Sequence, residues 1–242
     1  MLREARKSTP EMLKRPKRLP ILIEDLTAAR AHLNLSHPLD AAVFACLTTT
    51  FFTAARLGEF TIQNLTSFDT EIHIKPADVK HDVEDRHANK VTTFRIPQTK
   101  CVPKEKGGEI VFWAQQEGPA DPRAALDNHL SMNQPPQNAH LFAYRHNGAH
   151  RPLTKAAFLT RLKKALRDAG RPNKHGHSIC IGATLEYLLR GVPFEAMKSI
   201  GRWSSDAFSI YLRKHAQILA PYVQANPDLH HRISQEQMSV IR

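Results

Sequence analysis

Cysteine is scarce: Cys46, Cys101 and Cys180 are the three in 242 residues, and they lie far apart. That excludes a disulfide framework and a CxxC metal site, and it fits a reducing compartment. No apolar run approaches the roughly 20 residues of a membrane span. The N-terminus, MLREARKSTPEMLKRPKR, is basic but has no apolar centre, so it does not read as a secretory signal. Among the 10 glycines, Gly107-Gly108 reads as a turn and fits no phosphate-cradling loop. There is no internal repeat and no low-complexity tract. Acidic residues are also few, 23 Asp and Glu against 34 Lys and Arg, a net charge of +11. A chain this basic points to a polyanionic partner, nucleic acid first. Apolar residues at 41% and charged residues at 24% exclude wholesale disorder. The length suits one large domain, or one domain with appendages.

The periodicity predicts a mostly α chain with one small three-stranded antiparallel sheet. Residues 1–20 hold seven Lys or Arg and three prolines and read as a basic arm. LIEDLTAARAHL carries apolar residues at helical spacing. After Ser36-His37-Pro38, Asp40 is expected to cap a long helix, AAVFACLTTTFFTAARLGEF, apolar all round and therefore central. EIHIKP, VTTFRIP and EIVFW read as three strands, joined by the polar stretches VKHDVEDRHANK and QTKCVPKEKGGE. Asp121-Pro122 opens a further helix. Residues 133–138 read as a loop, and LFAY as a short core segment. Thr154 caps KAAFLTRLKKALRDAG, which Gly170 closes. Helices then run from Ser178 to Arg190, ended by Gly191, from Pro193 to Gly201, and from Asp206 to about His215. A break at Pro221 and a polar tail follow.

Phosphate chemistry on nucleic acid needs cations, a nucleophile and a proton donor for the leaving oxygen. Arg56, at the end of the apolar helix, supplies a guanidinium that Glu59, three residues on, is placed to orient. Lys100 falls at the tip of a strand pair, within reach of a phosphate. His177 starts a helix, and Tyr211 follows Trp203 by eight residues. His175 with His177, and His230 with His231, have no Cys or acidic partners at ligand spacing and read as surface histidines. Tyr187 and Tyr222 read as packing residues.

An arginine after an apolar helix, a β-turn lysine, a HxxR-like helix start, a Gly-Arg-Trp box and a following tyrosine resemble the tyrosine recombinase (phage integrase) family. The segment HGHSICIGATLEYLLRGVPFEAMKSIGRWSSDAFSIYLR is most similar to the eukaryotic mobile-element branch, with its GHSxRIG…GVP…GRWSSDAF..Y pattern. The resemblance spans residues 40–220. It implies the DNA breaking-rejoining catalytic-domain fold, preceded over 1–38 by a basic arm and short helix left from, or linking to, a DNA-clamping domain. The catalytic domain would cover 39–222, with a polar tail at 223–242. It implies Tyr211 as nucleophile, leaving a 3′-phosphotyrosyl link, and Arg56 on the non-bridging oxygens. Lys100 becomes the general acid and His177 a proton-transfer and phosphate-binding group. Trp203 takes a position that is His or Trp in relatives; by spacing to the tyrosine, Arg202 fits that position as well. Glu59 and Arg202 are supporting residues. No metal and no cofactor are implied. The implied partners are double-stranded DNA and a homo-oligomer, a tetramer on paired sites, with no membrane. The resemblance implies an intracellular, nuclear setting, to which KRPKR is suited as an import signal.

One position departs from the pattern. The second arginine of HxxR should stand three residues after His177, where the chain has Cys180. A thiol supplies neither a fork of donors nor a fixed charge. The expected loss is about 10² to 10³ in rate. Two further readings follow: a catalytically dead, domesticated DNA-binding module, and a type IB topoisomerase-like enzyme, against which the GRWSSDAF box argues.

Overall fold

The computed structural model describes residues 18–84, 88–99, 102, 107–203 and 214–220. Helix α1 (Ile23–Ala31) is followed by α2 (Pro38–Phe52). A three-stranded antiparallel sheet comes next, β1 (Val79–Glu84), β2 (Lys90–Ile96) and β3 (Glu109–Ala114), in the order β1-β2-β3. Helix α3 (Pro122–Asn133), a short hairpin of β4 (Tyr144–His146) and β5 (Ala149–Arg151), and α4 (Lys155–Asp168) follow. The described chain ends with α5 (Gly176–Leu189), α6 (Phe194–Ile200) and α7 (His215–Leu219). The class is mostly α with a small antiparallel sheet. Among the described residues no helix is long and apolar enough to cross a membrane.

Helix α2 is the centre of the core. Every residue from Asp40 to Phe52 is buried, as its uniformly apolar sequence predicts. It begins earlier than expected, with Pro38 in the first turn and His37 as the N-cap. Asp40 is therefore not the cap. It lies inside the first turn, where its carboxylate accepts the Asn34 N–H at 2.8 Å and two bonds from Arg161 of α4, at 2.6 and 2.7 Å. The helix also ends earlier, at Phe52; Ala54 turns the chain with φ 50°. Arg56 thus stands outside the helix, on an extended residue that leads into a 3₁₀ turn at Leu57–Glu59.

The sheet differs from expectation in its first strand. EIHIKP forms turns, and the strand is the polar VKHDVE that follows it. Ile74 is buried as a single anchor, and its carbonyl accepts the Leu141 N–H at 2.9 Å. β1 is an edge strand held by backbone pairing to β2, with its side chains largely in solvent, so it has no apolar face to alternate. β2 and β3 alternate as expected: Phe94, Ile96, Val111 and Trp113 point into the core. Phe60, directly after the 3₁₀ turn, packs edge-on against Phe94 (5.8 Å) and Phe142 (5.9 Å). Burying such a ring contributes about 2 kcal/mol and fixes the Arg56 turn to the sheet.

Thr154 caps α4, accepting the Ala157 N–H at 3.1 Å. Asp121 caps α3 through Arg123 N–H and Ala124 N–H. The N-terminal strip lies across α5: Ile21 N–H donates to Ser178 O at 2.9 Å, and a Cβ on Gly182 would stand 1.7 Å from Ile21 O. Lys174 Nζ donates to Pro20 O at 2.6 Å and pairs with buried Asp25 at 3.1 Å. Ile21, Leu26 and Ala29 belong to the same core as α2. The helix expected over 206–215 lies outside the described residues except for its last two positions, where Lys214 is the left-handed N-cap of α7 and His215 its first residue.

Candidate active site

Arg56 and Glu59 form one local unit. The Arg56 N–H donates to Glu59 Oε2 at 2.9 Å, and its guanidinium reaches Oε1 at 3.2 Å. The 3₁₀ turn makes this possible by folding residue 59 back over residue 56. The two differ in exposure: the Arg56 side chain is 36% accessible and that of Glu59 6%. The carboxylate is therefore inside, and the cation faces out.

The start of α5 comes against this turn. His175 is the extended N-cap residue, and its N–H donates to Ser178 Oγ at 3.1 Å. His177 and Cys180, three apart on one helix face, both line a cleft of about 750 Å³. Arg18, Arg56, Lys155 and His175 line it too, and among the described residues lining it none carries a carboxylate. Burial, then the positive charges of Arg18 and Arg56, hold the half-buried His177 below the ordinary imidazole range. At neutral pH the ring is therefore mainly neutral and keeps one nitrogen as an acceptor.

Cys180 sits at the back. Its thiol is buried and donates to Ala55 O at 2.9 Å. Burial first, then the Glu59 carboxylate, pushes the thiol up to about 12. It is a small neutral group at a place that Glu59, Arg56 and Arg202 all influence electrostatically. Arg202 lies deeper than Arg56: its side chain is 11% accessible, and it donates to Glu59 Oε2 at 2.5 Å and Glu109 Oε2 at 2.9 Å. Trp203 is half-buried with its ring packed over Gly201, and it is not among the residues lining the cleft.

Arg56, Glu59, His177, Cys180 and Arg202 are thus brought together from three separate parts of the chain. Lys100 and Tyr211 lie outside the described residues. Tyr187 packs instead: its hydroxyl donates to Phe52 O at 2.6 Å. Arg190, at the far end of α5, pairs with Glu186 and donates to Gln116. Arg18 and Lys155 were not singled out from the sequence. Lys155 is the first residue after the Thr154 cap, which aims it from the start of α4, whereas Arg18 looked like one more residue of the basic arm.

No family model matches the sequence, and no curated protein matches it. Solved structures do. XerA recombinase superposes with a TM-score of 0.52 at 14% identity, over 94% of this chain and 68% of that one. A Flp recombinase–Holliday junction complex superposes with a TM-score of 0.50 at 16% identity, over 87% of this chain and 48% of that one. The fold is that of a tyrosine recombinase catalytic domain. This chain spans about half the length of the Flp chains it matches. Within this fold, the Arg56 turn, the start of α4 and the start of α5 line one basic cleft, and Arg202 at the end of α6 reaches Glu59 behind it.

Proposed function

We propose that this chain is a DNA-binding protein of the tyrosine recombinase type, which recombines or integrates DNA through a 3′-phosphotyrosyl intermediate, with cleavage weakened by Cys180. The observation that carries this reading is the cleft that Arg56, His177 and the buried Cys180 line together. A phosphodiester there meets cations on several sides and no lining carboxylate. Arg56 holds the non-bridging oxygens. The Tyr211 oxygen bonds to phosphorus as the bond to the 5′ oxygen breaks, and Lys100 protonates that departing oxygen. Neutral His177 assists proton transfer. The 5′-hydroxyl of a second strand reverses the step and releases the tyrosine. The side chains supply the charge stabilisation, so no metal or cofactor enters. The domain limits read from the sequence, a tetramer on paired sites, origin in a eukaryotic mobile element and a nuclear setting belong to the same reading.

A second reading is favoured by the Cys180 thiol itself, buried and bonded to Ala55 O where a guanidinium is wanted. In that reading the chain is a cleavage-dead DNA-binding module. One experiment separates the two: covalent capture on a nicked suicide duplex, run with the chain as it is and with Cys180→Arg and Tyr211→Phe. The first reading expects a weak adduct, an increase of about 10² to 10³ in Cys180→Arg, and none in Tyr211→Phe. An adduct that survives Tyr211→Phe removes Tyr211 as nucleophile. Salt-sensitive binding with no adduct from the unaltered chain selects the second reading. Absence of binding at ~50 mM salt defeats both.

A further inference from the structure

Gly201-Arg202-Trp203 closes α6 in an uncommon way. Arg202 N–H donates to Ser199 O and Trp203 N–H to Lys198 O, both at 3.0 Å. This paired closure puts the residue after the C-cap in the left-handed region, where glycine is the usual occupant. Here that residue is Arg202, at φ 55°. The glycine stands one place earlier, at φ −78°, where any residue fits the backbone. It is needed there for room, because a Cβ on Gly201 would meet the Trp203 ring at 2.0 Å. An arginine therefore bears the backbone strain, and such strain persists only where the surroundings hold it and tends to mark functional sites.

What holds it is a pair of carboxylates. Arg202 joins Glu59 Oε2 to Glu109 Oε2, while its buried Nε finds no acceptor among the described residues. Glu59 is thereby shared by two guanidinium groups, buried Arg202 and the more exposed Arg56. Beside them Cys180 adds no charge. Without Arg202, the buried Glu59 charge would be matched in this unit by Arg56 alone, and the Arg56 guanidinium, already on Oε1 at 3.2 Å, would be engaged by both carboxylate oxygens and turned from the cleft. We propose that Arg202 is a positioning residue: it holds Glu59 so that Arg56 stays turned to the cleft, a support that a cation at position 180 would otherwise give. The reading of the cleft as a phosphodiester site underlies the DNA part of this proposal.

Arg202→Gly is the informative variant, because glycine suits the left-handed backbone while the bridge is lost; Arg202→Lys keeps a charge but not the fork. The measurements are short-duplex affinity against salt, thermal melting, and the Arg56 Nε–Hε resonance by NMR, all on the full chain. In Arg202→Gly the melt stays cooperative, the Arg56 resonance moves, and the salt slope of binding falls by about 1. Adding Glu59→Gln restores the slope, since the carboxylate that captures Arg56 is then neutral. Arg202→Lys is intermediate, and it decides the matter if Arg202→Gly does not fold. Lowered melting temperatures with an unmoved Arg56 resonance, an unchanged slope and no rescue by Glu59→Gln would overturn the proposal. If the unaltered chain binds no DNA, the cleft's function is refuted, and the Arg56 resonance alone still decides whether Arg202 positions Arg56.

Discussion

The Cys180 thiol donates to the carbonyl of Ala55, the residue immediately before Arg56, at 2.9 Å. This bond ties the start of α5 to the residue before Arg56 and leaves a neutral group at the back of the cleft. The sulfur is buried and held in its protonated form.

Cys180 should therefore be inert in the native protein. With its thiol pushed up to about 12, alkylation by iodoacetamide at pH 8 should run roughly a thousandfold slower than for an exposed cysteine. Mass spectrometry of native and unfolded samples checks this. Rapid native labelling of Cys180 would contradict the burial.

Gly182 is where α5 touches the N-terminal strip. Gly182→Ala would put a methyl group 1.7 Å from Ile21 O, so the strip must lift. We expect a loss of about 1–3 kcal/mol by denaturant unfolding. Arg18, which reaches the cleft from that strip, should withdraw with it, and under the proposed function DNA affinity then falls. A variant as stable as the parent would show that the strip does not hold α5.

Acid should loosen the core around α3. Burial pushes His129 down to about 4 and His140, also facing His73 and His129, down to about 3. Neutral His129 is fully used: Nε2–H donates to Leu141 O, and Nδ1 accepts from the Asn133 amide, each at 2.9 Å. The unfolded state, with imidazoles near 6.5, binds more protons below that pH. Stability is thus full above about 6.5 and lost as pH falls toward 4, on the order of 3 kcal/mol for His129 alone. Melting from pH 7.5 to 4.5 tests the slope. The ring proton resonances of both histidines should not titrate above pH 5 in the folded chain.

Asp40 and Arg161 form a two-pronged ion pair tying α2 to α4, with Asp40 5% exposed. Asp40→Ala should cost about 3 kcal/mol, because Arg161 is left without its counter-charge. Replacing both by apolar residues of similar size should cost less. Denaturant unfolding of the two single variants and of the double variant gives the comparison; a double-variant loss equal to the sum of the single losses would mean that the pair is not coupled.

Local chemistry was enough for the elements whose signals are their own. Thr154 and Asp121 mark helix starts because a short oxygen-bearing side chain satisfies the exposed N–H groups of a first turn. VTTFRIP and EIVFW alternate because each has one face in the core. VKHDVE does not, because it is paired along one edge and wet on both faces, so the sequence pattern favoured EIHIKP instead. The end of α2 at Phe52 was equally hidden: the apolar run continues, and it is the turn at Ala54 that stops the helix. The basic charge, the His177–Cys180 spacing and the Gly-Arg-Trp box could be read from the chain alone. That Arg18 and Lys155 enter the cleft, and that Arg202 links Glu59 to Glu109, depended on packing between segments far apart in sequence. Periodicity records which way a side chain faces within its own element, whereas the meeting of buried charges is decided when the elements close on one another.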